Sequence, residues 1–481
     1  MSTEDLIEKT IGRFGKYQTW ILILITIGRY PTEFQLNNVV FIIPAVEYQC
    51  LDDGVFNATN YCPCENPKYD QSTIVSSVTS EWDLICDRTA YASFAQSVIQ
   101  IGILAGSLFF GHISDRFGRK PAVLMSLLFE AVFVAISAVV PQFWMFLFCR
   151  FLIGTAVGGT MLCCYVLLIE LSGKSFRAYL TGLHEISFIT GYIILAVIAY
   201  YVRDWRKLQL VTSVPWLAVI VYYWLIPESP RWLLTMGRKK EAISILIYIA
   251  KKNNRSIDDI EVIVSREEEA SKQKDQKPVS YLDLFKTPNI RIYTVIAALV
   301  WMFCSHTFFG VNQYIGRLQG NIYLNVILSA ATLAPGLILV IIGTRFLKRK
   351  TSIIISFTVA AMSLLIFIFV PSNIETLMLL FAIIGLTGAY TSFVQLYLFT
   401  SELFPTVIRN SAMGFSSMFA RFGGFVAPFV VNIGVEWISI LIFSSIAFVA
   451  ALLCYFLPET KDIVLLNSIE QTEVNKHKII Q

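Results

Sequence analysis

Charge is scarce in this chain: of 481 residues only 15% are Asp, Glu, Lys or Arg, while 56% are hydrophobic. That balance excludes a water-soluble globular protein of this size and implies several crossings of a membrane. Histidine is rarer still, with four residues. There is no His-Glu-x-x-His helix, no cluster with metal-ligand spacing and no Gly-x-Ser-x-Gly elbow. Gly173-Lys174-Ser175 matches the end of a phosphate-binding loop, but Leu168 stands where that loop's first glycine would be. ATP-driven transport loses its support with it. The acidic, polar N-terminus has no cleavable-signal pattern. No enzyme, metal site or cofactor is therefore expected.

What the chain does have is long apolar runs. Stretches of spanning length occupy 20–45, 90–111, 121–140, 143–169, 178–202 and 208–226, then 291–315, 321–344, 351–370, 374–401, 410–433 and 437–457. The expected architecture is an all-α membrane protein of twelve transmembrane helices in two six-helix bundles. A polar N-terminus (1–19) precedes the first bundle (20–226), which carries a loop at 46–88. A linker with short helices (227–290), the second bundle (291–457) and a tail (458–481) follow. Charge orients the whole. Loop 46–88 holds eight acids against Lys68 and Arg88, whereas 227–291 holds thirteen Lys or Arg. By the positive-inside rule the loop is extracellular, the linker cytoplasmic and both termini cytoplasmic. Cys50, Cys62, Cys64 and Cys86 share the acidic loop with the sequon Asn57-Ala58-Thr59. Disulfides of open connectivity and glycosylation at Asn57 are expected there. The other five cysteines lie in apolar runs, and a second sequon, at Asn254, falls in the linker and is expected to stay unmodified.

An internal repeat relates the two halves. Glu170 and Arg177 stand seven residues apart in "ELSGKSFR", as do Glu402 and Arg409 in "ELFPTVIR". Glu228 of "PESPR" follows Glu170 by 58 residues, and Glu459 of "PETK" follows Glu402 by 57. A duplicated bundle with charges at matching helix ends points to alternating access. Between the second and third runs, "GHISDRFGRK" (111–120) sets Gly111, Asp115, Arg116, Arg119 and Lys120 in one short turn. This pattern resembles the signature of the major facilitator superfamily. "EWDLICDR" (81–88), "PESPRWLL" (227–234) and "ELFPTVIRN" (402–410) resemble the organic ion transporters within it, the carriers of organic cations, organic anions and carnitine. The resemblance covers essentially the whole chain. It departs in a shorter outer loop and in "GTRFLKRK" (343–350), where Thr344 replaces an aspartate. It implies cytoplasmic charge networks that gate the inner face and never touch substrate. These are Asp115, Arg119, Glu170, Arg177, Glu228 and Arg231 in the first half, with Glu402, Arg409 and Glu459 in the second.

One charge has no loop to belong to. Arg421 lies in "GFSSMFARFGGFVAPFVV" (414–431), at a depth where a guanidinium costs roughly 2.5–3.5 kcal/mol on insertion scales. On a helical wheel it shares a face with Gly414, Ser417, Gly424, Pro428 and Asn432, opposite Phe415, Phe419, Val426 and Val430. The small face is expected toward protein or a cavity and the bulky one toward lipid. A midplane charge so placed is expected to serve a substrate or ion, and a guanidinium fork suits a carboxylate or sulfate. The resemblance implies the same, since its cation carriers have an acid at this position and its anion and carnitine carriers a base. The competing reading is an ion pair that only holds helices together.

Glu185, in "GLHEISFITGY", is the other candidate charge. It is able to pair with Arg421, to titrate, or to bind the amine of a zwitterion, and the sequence leaves these open. Aromatic walls suit amphipathic organic ligands. Tyr165 and Tyr397 stand five residues before the repeat glutamates, Phe188 follows Glu185, and Phe308 beside Phe309 matches a lining position of the resembling family. His184 reads as a packing histidine, and Arg29, Glu33, Asn37 and Asn38 as weaker polar lining. The expected function is a secondary active or facilitative carrier of small organic ions in the plasma membrane, favouring anions or zwitterions. It would work as a monomer in the lipid bilayer, with a coupling ion left open and no nucleic-acid partner. Its rivals are an organic cation carrier with Glu185 as counter-charge, a sugar carrier, disfavoured by the few polar groups in the spans, and a receptor that moves nothing.

Overall fold

The computed structural model describes residues 6–52, 59–265, 281–371, 373–405 and 407–461. Inside hydrocarbon every backbone N–H and C=O must be paired within its own segment, so the apolar runs become helices. The second to fifth spans are Thr89–Phe117, Arg119–Ser137, Phe143–Glu170 and Arg177–Tyr201. The sixth runs from Trp205 to Leu225, turning 3-10 over Val214–Val221 behind Pro215. The seventh to twelfth are Pro288–Ile315, Ile322–Phe346, Arg349–Phe369, Glu375–Leu403, Arg409–Val431 and Glu436–Tyr455. Among the described residues eleven helices are long and apolar enough to cross a membrane.

The remaining crossing, the first, is assembled from three consecutive pieces: Lys16–Gly28, Tyr30–Asn37 and Val39–Ile42. Its continuous run was expected to be one helix. Pro31 in the first turn of the middle piece lacks an N–H to donate, and the breaks fall at Arg29 and Asn38. The middle piece is nevertheless buried, with Thr32, Glu33, Gln35 and Asn37 all inside. Polar side chains therefore fill the middle of this crossing, while its first piece stays apolar.

The described residues form two compact units, one from those within 6–38, 102–195 and 205–265, the other from those within 39–101, 196–204 and 281–461. In the first unit the third and fourth spans pack along each other. Gly106 and Gly158 bring the second and fourth spans into backbone contact: a Cβ on Gly106 would clash with the Thr155 carbonyl, and one on Gly158 with that of Ile103. The short helix Leu6–Ile11 packs on the linker helix Lys239–Lys252 in the same core. Asn253 pins them, accepting from the Tyr17 N–H at 3.0 Å and donating to the Ile11 carbonyl at 3.1 Å.

In the second unit the seventh span lies along the eleventh, and the ninth against the tenth and twelfth. Gly423 makes the first of these contacts possible, since a Cβ there would clash with the Met302 carbonyl. The acidic loop contributes an antiparallel pair, Tyr48–Cys50 with Pro67–Tyr69. Disulfides Cys50–Cys64 and Cys62–Cys86 staple it, closing loops of a size that restricts the unfolded chain by about 3 kcal/mol each. Asn57 lies outside the described residues. The five remaining cysteines are buried free thiols.

Candidate functional site

The turn between the second and third spans needs glycine at 118, whose φ is +114° and whose Cβ would clash with the Glu228 carboxylate. That close approach lets Glu228 accept from the N–H groups of Arg119 (2.9 Å), Lys120 (3.1 Å) and Ser229 (2.8 Å). A carboxylate thus sits on the positive end of the third span's dipole. Burial outweighs these hydrogen bonds and holds the Glu228 carboxyl above its usual range. The Arg119 side chain bridges two further acids: Nη2 lies 2.9 Å from Glu170 Oε1, Nε 3.1 Å from Glu170 Oε2 and Nη1 2.5 Å from Asp115 Oδ1. Arg231 Nε donates to the Glu170 main-chain carbonyl at 3.3 Å, and the Trp232 indole to that of Asp115 at 2.8 Å. Arg177 opens the fifth span, half-buried.

The second half repeats this arrangement. Glu459 accepts from the N–H groups of Arg349 (2.8 Å) and Lys350 (3.2 Å), capping the ninth span. Arg349 Nε reaches Glu402 Oε2 at 3.4 Å, and Thr460 Oγ1 donates to the same oxygen at 2.8 Å. Thr344, the departure from the aspartate pattern, contributes its main chain instead: Arg349 Nη1 donates to its carbonyl at 2.6 Å. Arg409 opens the eleventh span within the field of Glu402, while its Nε and Nη2 have no hydrogen-bond partner among the described residues. Arg349 was not among the expected latch residues. Its signal was the repeat itself, which sets "RK" at 349–350 opposite "RK" at 119–120.

Within the spans, Arg421 is half-buried on the eleventh helix, beside Tyr397 of the tenth. Among the described residues it forms no ion pair. The buried face of its helix is Ala412, Ser416, Ala420, Gly423, Gly424, Ala427, Pro428 and Val431, and this helix lies along the seventh span. Gly424 and Pro428 are among the residues expected toward protein, whereas Gly414 is exposed. The bulky residues expected against lipid are half-buried, Phe415 packing on Phe285 at 5.6 Å. Small residues decide the packed face because they admit backbone contact. An aromatic cluster stands nearby: Tyr397 against Trp301 (4.5 Å) and Phe393 (5.6 Å), with Phe308 stacked on Phe393 (6.0 Å) and beside Tyr390 (5.9 Å). Arg421, Phe308 and Tyr397 therefore share one unit.

Glu185, Phe188 and Tyr165 belong to the other, all half-buried. The Tyr165 ring meets His184 edge-on at 5.3 Å, and Phe188 that of Tyr192 at 6.4 Å. His184 does more than pack: Arg29 Nη1 donates to its Nε2 at 2.6 Å, which fixes that nitrogen as an acceptor because a guanidinium has no lone pair to give. Arg29 also pairs with Glu33 at 2.8 Å, both buried. Two further buried ionisable residues escaped sequence reasoning, Glu130 on the third span and Arg150 on the fourth. Each is a lone ionisable residue in an apolar run, the same signal that singled out Arg421.

Known proteins match this picture. The family model described as "Sugar (and other) transporter" matches residues 48–471. An organic cation transporter-like protein of Drosophila melanogaster is 32% identical over 96% of this chain and 91% of its own length. Solute carrier family 22 member 13 of Homo sapiens is 32% identical over 88% and 76%. Among solved structures, the inward-open xylose transporter XylE from E. coli superposes with a TM-score of 0.69 at 18% identity, covering 95% of this chain and 99% of that one. The chain therefore belongs to the major facilitator superfamily and, within it, to the organic ion transporters, membrane carriers of organic solutes rather than enzymes.

Proposed function

We propose that this carrier moves small organic anions or zwitterions across the plasma membrane by alternating access, with Arg421 receiving the anionic group. The observation that supports this reading is a half-buried guanidinium on a membrane span that forms no ion pair among the described residues. Such a charge is tolerated where water or a ligand's anion supplies the missing partner. Phe308 and Tyr397, in the aromatic cluster of the same unit, are assigned to the substrate's apolar part. Glu185, with Phe188 and Tyr165, is assigned to an amine on the same substrate.

In this reading Asp115, Arg119, Glu170, Arg177, Glu228 and Arg231, together with Arg349, Glu402, Arg409 and Glu459, latch the cytoplasmic ends. The two six-helix bundles rock as bodies, loop 46–88 is extracellular and glycosylated at Asn57, both termini are cytoplasmic and the carrier is a monomer. A second reading rests on the relatives named organic cation transporters: a cation substrate held by Glu185.

Uptake of a labelled panel by cells expressing the chain separates the two. The panel is a dicarboxylate, a sulfated steroid, carnitine, a small amino acid and a tetraalkylammonium, each run with wild type and Arg421→Asp. Uptake of an anion or zwitterion that the substitution abolishes, at unchanged surface protein, supports the first reading. Uptake of the tetraalkylammonium alone supports the second.

A further inference from the structure

We propose that Glu130 is a proton-binding site, and that solute movement is coupled to a proton taken up and released there. Glu130 lies in the middle of the third span and is fully buried. One oxygen, Oε2, accepts from Thr32 Oγ1 at 2.8 Å and from Thr160 Oγ1 at 3.2 Å. The other, Oε1, has no hydrogen-bond partner among the described residues. A carboxylate in this position would leave a charged oxygen bare in a low-dielectric interior, one of the costliest arrangements a fold can hold. A carboxylic acid would not: its hydroxyl sits on Oε1 and its carbonyl oxygen takes both threonines.

The charges around Glu130 argue the same way. From the first span it faces Arg29 and Glu33, and from the fourth Cys164. His184 of the fifth span enters through Arg29. Arg29 is already committed, pairing with Glu33 at 2.8 Å and donating to His184 Nε2 at 2.6 Å and Ser187 Oγ at 3.1 Å. Ser187 in turn donates to Glu33 Oε1 at 3.2 Å. The thiol of Cys164 and the acceptor imidazole of His184 add no positive charge. Arg150, the unit's other buried arginine, donates to Asn38 at 3.3 Å. One guanidinium thus serves two carboxyls and neutralises one of them, so the second is neutral only with a proton on it.

The position couples that proton to movement. Thr32 and Glu33 ride on the middle piece of the first span, which is set off by the breaks at Arg29 and Asn38. When the Glu130 hydroxyl gives its proton to water, the new carboxylate competes with Glu33 for Arg29. The Arg29–Glu33 pair must then rearrange and carry the Tyr30–Asn37 piece with it. Reprotonation restores the arrangement described above. This inference does not rest on the role of Arg421 and holds for a substrate of either sign.

Infrared spectroscopy of the purified full chain at neutral pH tests the proton. A carboxylic-acid carbonyl band is expected that moves on hydrogen–deuterium exchange, shifts in Glu130→Asp and is absent in Glu130→Gln. The aspartate variant keeps the acid, so the assignment does not depend on how the glutamine variant folds. No such band in wild type, or one indifferent to both substitutions, overturns the site. Proteoliposomes test the coupling, with labelled carnitine and labelled tetraethylammonium as probes. An inward proton gradient is expected to raise wild-type uptake of at least one probe several-fold and to leave Glu130→Gln, still competent for gradient-free exchange, unmoved. Uptake that follows a sodium gradient instead, a proton response that survives Glu130→Gln, or no gradient-driven uptake of either probe overturns the coupling.

Discussion

Single carboxylates at helix starts hold the turns between spans in register. Glu228 and Glu459 each accept two N–H groups from the first residues of a span, so removing one leaves those donors bare and the helix dipole unanswered. Glu459→Ala is expected to cost about 1 kcal/mol and to lower the melting temperature of the detergent-solubilised protein by a few degrees. An unchanged melting curve would show that Glu459 does not cap the ninth span. In the acidic loop, Asp52 accepts from the N–H groups of Glu65 (2.8 Å) and Asn66 (2.9 Å), and these hold its carboxyl below the usual range. A depressed carboxyl stabilises the fold above its unfolded value, roughly pH 4. That contribution is lost as pH falls through the folded value. Amide exchange at Glu65 and Asn66 should therefore quicken, relative to the intrinsic rate, only at acidic pH, and in Asp52→Asn at neutral pH as well. Protection that persists at acidic pH would contradict this.

Helices were the legible part of the sequence, and their polar interruptions were not. Eleven of the twelve expected apolar runs became spans with ends displaced by a few residues, because hydrocarbon leaves the backbone no alternative to the helix. The breaks in the first span escaped notice although Arg29, Pro31 and Glu33 announced them. Arg29 and Glu33 were read as lining, whereas the fold buries them as an ion pair. The inner face of the eleventh span was read only in part: Gly424 and Pro428 are buried, but Gly414 is exposed and the bulky side is half-buried, because Gly423 and its small neighbours set how closely helices meet. Glycine contacts give the sharpest prediction at this scale. In Gly106→Leu a side chain would have to pass through the Thr155 carbonyl, so folded protein is expected to disappear from a size-exclusion profile. Gly237→Leu, with nothing near its Cβ, serves as the control; its φ of +73° costs only local strain. A monodisperse Gly106→Leu peak would mean the second and fourth spans do not touch there.

Duplication governs the molecule as a whole. Reading the repeat through its glutamates found four of its members, Glu170, Glu228, Glu402 and Glu459, but comparison of the loop motifs stopped at Thr344 and missed Arg349. The physics explains why the substitution is tolerated: a main-chain carbonyl accepts from the guanidinium as an aspartate would, and a sequence records side chains only. Arg349→Ala should accordingly reduce uptake as severely as Arg119→Ala at equal surface expression. Near-normal transport by Arg349→Ala would confine gating to the first half.

If the Arg421 guanidinium receives the substrate's anionic group, reversing the charge at position 421 reverses the preference for substrate sign. The ratio of organic-anion to tetraalkylammonium uptake would be measured side by side in wild type and Arg421→Asp, at matched surface protein. A ratio well above one is expected in wild type, with an inversion of roughly tenfold or more in the variant. A ratio that ignores the reversal would show that the guanidinium never meets the substrate.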